Sequence, residues 1–130
     1  MATAVKALGE VALRVNDLAT SESFYQNVLG LELIKRFDRA AFFRISDGYA
    51  GHTTVLALFD REVPVAQTRT TVDHIAFAIA LEDYSSEKQR LEGLGVSVTT
   101  AAHERVQWRS LYIHDPDGNE VELVCYDPEV

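Results

Sequence analysis

Three side chains on three separate strand-like segments are of types that hold divalent metal ions: Glu10, His74 and Glu122. One imidazole and two carboxylates lean toward harder ions than the two-histidine, one-carboxylate set suited to non-haem Fe(II). Such a set neutralises the charge of the ion and leaves coordination positions open for water or a chelating substrate. Glu122 demands an explanation most. It sits in mid-strand between apolar residues, where a carboxylate is costly without a partner. Taken singly, Glu10 reads as the solvent-facing start of a strand and His74 as a satisfied, half-buried imidazole. Only the organisation of the chain joins them.

That organisation is clearest in the closing hairpin. Ser110 to His114 and Glu120 to Tyr126 both alternate with period 2 and flank Asp115-Pro116-Asp117-Gly118-Asn119, so two strands meet at a turn. Pro116 presets φ for the turn, and Gly118 supplies a position that accepts positive φ. Val121, Leu123 and Cys125 share one face, and Glu120 and Glu122 the other. If His114 closes against Glu120, Tyr112 lies directly opposite Glu122.

Upstream, the same pattern occurs twice. Gly9 to Val15 is a strand. A helix opens at Asn16-Asp17, with Asp17, Thr20 or Ser21 as candidate caps, and ends at Gly30. Strands follow over 31–37, 40–46 and 53–59, the last two joined by Asp47-Gly48 and a small loop to Gly51. Residues 61–71 form a connector, because Pro64 argues against a central strand. The pattern then restarts with Asp73 to Ile79, a helix from about Asp83 carrying Tyr84, Leu91 and Leu94, and a strand over 96–100. An irregular stretch through His103 and Trp108 leads to the hairpin. Glu10-Val11-Ala12-Leu13 matches His74-Ile75-Ala76-Phe77, and Val55 to Leu58 matches Glu120 to Leu123. The chain is thus two copies of a βαβββ unit, in which Glu10 answers His74 and Ala57 answers Glu122. The fold class is α+β: two tandem βαβββ modules, about 8–60 and 72–127, forming a curved, barrel-like mixed sheet with the helices outside. Together they make a single domain over 1–130.

A chain of 130 residues is large enough for its own core. A net charge of −8 with no basic cluster excludes a nucleic-acid surface. No apolar run has the length of a membrane span, and the N-terminus lacks a signal-peptide stretch. The single cysteine, Cys125, reads as a buried reduced thiol, and a cytoplasmic location is expected.

The chain resembles the vicinal oxygen chelate superfamily, which holds glyoxalase I, methylmalonyl-CoA epimerase, extradiol dioxygenases, and fosfomycin and bleomycin resistance proteins. Val11-Ala12-Leu13-Arg14-Val15-Asn16-Asp17-Leu18, Phe24-Tyr25 and Val28-Leu29-Gly30-Leu31-Glu32 are similar to its first module. Asp73 to Phe77 and Asp115 to Leu123 are similar to its second. The resemblance implies metal ligands at the positions of Glu10, Ala57, His74 and Glu122, of which metal-binding members use three or four. Glu10 stands where the first ligand is usually His. Ala57 cannot ligate, which argues against glyoxalase- and epimerase-like activities. The remaining set is the dioxygenase-like and fosfomycin-transferase-like arrangement.

The resemblance also implies a homodimer and a small substrate that chelates a divalent ion (Fe, Mn, Zn or Mg) through vicinal oxygens. His52 looks like the acid/base histidine of extradiol dioxygenases, although its strand parity is opposite to that of Ala57; a plain surface histidine is the other reading. Tyr112 falls where those enzymes often have an active-site tyrosine. His52 and Tyr112 are therefore the candidate catalytic residues, and His103 and Trp108 are expected in a loop at the rim. The rival reading is a metal-free binding protein like the bleomycin-resistance group, with Glu10 and Glu122 attracting a cationic ligand and Trp108 stacking on it.

Overall fold

The computed structural model describes residues 4–64 and 72–130. The chain divides into two compact units, Met1–Ala66 and Gln67–Val130. The connector expected over 61–71 lies for the most part outside the described residues.

In the first unit the order is β1 (Glu10–Val15), α1 (Leu18–Ser23), β2 (Glu32–Phe37), β3 (Ala40–Tyr49) and β4 (His52–Asp60). The sheet order is β1-β4-β3-β2. β1 runs parallel to β4 and the other pairs are antiparallel. The helix begins where the sequence places it. Asp17 has an extended backbone, and its Oδ1 accepts the Thr20 N–H at 2.9 Å, which satisfies one orphan donor of the first turn. A π-helical turn over Phe24–Val28 prolongs α1. Gly30 then leaves it at φ +87°, a conformation glycine adopts without steric penalty. Leu18, Phe24 and Tyr25 are buried with Phe43, Leu56 and Leu58, so the helix covers the apolar face of β3 and β4.

The second unit repeats this plan with β5 (His74–Ala78), α2 (Tyr84–Gly93, after a 3-10 turn at Leu81–Asp83), β6 (Thr99–His103), β7 (Trp108–His114) and β8 (Glu120–Tyr126). Its sheet order is β5-β8-β7-β6, with β5 parallel to β8. The registers repeat as well. Glu10 is opposite Val55 and Ala12 opposite Ala57; His74 is opposite Glu120 and Ala76 opposite Glu122. Val121, Leu123 and Cys125 are buried, as the period-2 alternation requires. Leu91 buries the α2 face, and the Tyr84 hydroxyl donates to the Ser110 carbonyl at 3.1 Å.

Three expectations change. β3 runs through Asp47-Gly48 to Tyr49, and the reversal falls at Ala50-Gly51, both at positive φ, the signature of a two-residue hairpin turn. β6 lies over Thr99–His103 rather than 96–100, so His103 ends β6 and Trp108 begins β7 instead of both lying in a loop. Leu94 follows the end of α2 and is exposed, leaving Leu91 to bury the stripe. No helix among the described residues is long and apolar enough to cross a membrane.

Candidate metal centre

The face of the second sheet away from its apolar side carries His74 and Ala76 on β5, and Glu120 and Glu122 on β8. β7 adds Ser110 and Tyr112, and β6 adds His103. Tyr112 is directly opposite Glu122, and His114 opposite Glu120, the register the hairpin reading requires. Across β5 the partner of Glu122 is Ala76.

Glu122 is buried, at 5% exposure. Its Oε2 accepts the Ser110 hydroxyl at 2.5 Å and the Tyr112 hydroxyl at 3.3 Å. Its Oε1 lies 3.0 Å from His74 Nε2. On the other side of the ring, His74 Nδ1 is 2.7 Å from Asp73 Oδ2. A carboxylate only accepts, so Nδ1 carries the proton given to Asp73. In the neutral ring that leaves the Nε2 lone pair facing a carboxylate oxygen. Two acceptors at that distance repel unless a proton or a cation lies with them. The Asp73 hydrogen bond, with a smaller contribution from Glu122, holds His74 above the usual imidazole value against the effect of burial. As an imidazolium, His74 closes the pair with its own proton.

A divalent ion fits the same donors. Two ligand atoms about 2.1 Å from one ion and at right angles to each other are about 3.0 Å apart, the separation found here. A carboxylate on the far nitrogen of a ligating histidine fixes its tautomer and raises its basicity, and Asp73 is so placed. Donor atoms of Asp73, His74 and Glu120 also lie within 4.8 Å of one another. His74 Nε2 faces the buried Glu122 carboxylate, whereas Asp73 is exposed and already bonded to Nδ1.

The first unit carries the other two candidates. Glu10 opens β1, is exposed, and faces the same way as Ala12 and Arg14. His52 begins β4, opposite Tyr49. Its ring lies over Gly9, where an added Cβ would be 3.4 Å from His52 Cε1. The pairing of β3 with β4 is irregular between Arg44 and Ser46 and between Ser46 and Tyr49, with the extra residues on β3. Phe42 answers Tyr112 opposite Ala57. The same face continues as Phe37, Phe42 and Phe59 in edge-to-face contact, with Arg14 over Phe59 at 5.5 Å.

Sequence reasoning missed Ser110 as a site residue. It is fully buried, and its parity with Tyr112 on β7 was the available signal. His103 was expected at a rim; instead its Nε2 is 2.9 Å from the Tyr112 hydroxyl.

Residues 7–123 match the Glyoxalase/Bleomycin resistance protein/Dioxygenase superfamily. The chain belongs to that superfamily. It is 30% identical over 119 residues to the glutathione transferase FosA of Serratia marcescens, covering 92% of this chain and 80% of FosA. To the metallothiol transferase FosB of Staphylococcus epidermidis it is 28% identical over 120 residues, covering 92% and 81%. Among solved structures it is similar to a variant of the fosfomycin resistance protein FosX from Listeria monocytogenes, complexed with Mn(II) and 1S,2S-dihydroxypropylphosphonic acid. The TM-score is 0.72 at 28% identity, covering 96% of this chain and 94% of that one. Within the superfamily, the chain is thus similar to the fosfomycin-resistance members.

Proposed function

We propose that this chain is a divalent-metal-dependent enzyme of the superfamily, transferase-like, acting on a small substrate that chelates the ion through vicinal oxygens. The observation that carries this is the pairing of His74 Nε2 with Glu122 Oε1 at 3.0 Å, with Asp73 holding the far side of the imidazole. The FosX complex supports a substrate class of small phosphonates with neighbouring oxygens, and the thiol transferases FosA and FosB support group transfer to such a compound.

In this reading His74 and Glu122 of the second unit hold the ion. The bound ion supplies Lewis-acid polarisation of the substrate oxygens. Ser110 and Tyr112 hold Glu122 Oε2, which turns Oε1 toward the ion. Burial keeps the Tyr112 phenol above its ordinary value, so it stays protonated near neutral pH and keeps its proton on Glu122 Oε2. The protein works as a cytoplasmic homodimer, which sedimentation at micromolar concentration tests directly.

The functional test uses protein purified without a His tag and stripped of metal. Binding of 1S,2S-dihydroxypropylphosphonic acid is measured by calorimetry with and without Mn(II). Binding that requires Mn(II), and that falls in His74→Ala, is the expected result. Binding unaffected by Mn(II) would favour a metal-free binding protein and discard the enzyme reading.

A further inference from the structure

Tyr112 stands between two imidazoles. Its ring meets His74 and His103 edge to face, each at 6.4 Å between centroids. Its hydroxyl is 2.9 Å from His103 Nε2 and 3.3 Å from Glu122 Oε2. A phenol has one proton and accepts through its oxygen, so it cannot donate to both neighbours. Glu122 can only accept. His103 is the neighbour free to take either part, since a neutral imidazole carries its proton on Nδ1 or on Nε2.

We infer that His103 is a positioning residue: its Nε2–H donates to the Tyr112 oxygen and thereby aims the phenolic proton at Glu122. The alternative direction, with Tyr112 donating to a bare Nε2, would leave two oxygen acceptors 3.3 Å apart and Glu122 Oε2 with only the Ser110 hydroxyl. A chain running His103 to Tyr112 to Glu122 has every donor opposite an acceptor, and each bond polarises the next. His103 touches no reacting atom; it acts through Tyr112. Its consequence for metal affinity rests on the proposed metal site, whereas the direction of the hydrogen bond does not.

Two measurements separate these. In metal-free protein at pH 8, long-range ¹H–¹⁵N correlation spectra read the tautomer of His103. The Nε2–H form is expected, with the preference relaxed in Tyr112→Phe; an Nδ1–H form in the wild type overturns the inference. Mn(II) binding is then followed by the loss of the free-ion EPR signal in folded variants, checked by circular dichroism. His103→Leu is expected to weaken binding roughly tenfold, the lower end for losing an outer partner of a metal ligand. His103→Gln, which keeps an N–H donor, should stay near wild type. In a Tyr112→Phe background, His103→Leu should add nothing. An equal loss in both backgrounds, or no loss in either, contradicts a role exerted through Tyr112. If the wild type takes up no Mn(II), the metal reading falls, and the tautomer spectra alone decide for or against His103.

Discussion

Ser110 and Glu122 are diagonal neighbours on β7 and β8, and the Ser110 hydroxyl donates to Glu122 Oε2 at 2.5 Å. Both are buried, so neither has water to replace the other. The bond fixes which oxygen of the carboxylate is occupied and which faces His74.

Ser110→Ala should therefore have two effects. Stability falls by about 1–3 kcal/mol, the cost of leaving a buried acceptor short of a donor. Mn(II) affinity falls about tenfold, because the carboxylate loses its orienting partner. Chemical denaturation and EPR titration measure the two separately. A loss of stability with unchanged affinity would make Ser110 a packing residue only.

Gly48 places His52. It lies at φ +71°, and a Cβ there would be 1.9 Å from the His52 carbonyl oxygen. Gly48→Ala should destabilise the protein by roughly 1–3 kcal/mol, in the range for a strained left-handed position, with a backbone clash in addition. Thermal unfolding within error of wild type would mean that the β3–β4 hairpin rearranges freely, and that His52 has no fixed place.

The acid limb of stability should trace in part to Asp127. Its carboxyl is held below the ordinary value, first by the Glu129 backbone N–H and then by Arg109, whose Nε donates at 2.8 Å. A carboxyl lowered in the folded state contributes stability that is full above the unfolded value, about pH 4, and lost as pH falls through the folded value. Asp127→Asn should thus cost a constant amount of stability at pH 6–8, with the gap to wild type narrowing below about pH 4. A gap independent of pH down to pH 2 would remove Asp127 from the acid response.

The sequence made the repeat and the hairpin readable because their signals are local: alternation, a Pro-Gly turn and a helix end at Gly30. The Tyr112–Glu122 pairing followed from register alone. What stayed hidden depended on pairing between strands. β6 has the sequence Thr-Thr-Ala-Ala-His, too polar and small to declare its bounds, so His103 read as loop. The turn after β3 was placed at Asp47-Gly48, a common turn pair, but Gly48 lies inside the strand against His52. Ser110 shares its parity with Tyr112, but its burial against Glu122 comes from the pairing of β7 with β8.

The central claim is that Glu122 is kept in the sheet to hold a metal ion with His74. Glu122→Gln keeps the shape and still accepts the Ser110 hydroxyl, but removes the charge. Mn(II) stoichiometry, measured by EPR on tag-free, metal-stripped protein, should be about one per chain in the wild type and close to none in Glu122→Gln, with the circular dichroism of the two unchanged. Equal stoichiometry in the two folded proteins would contradict the claim.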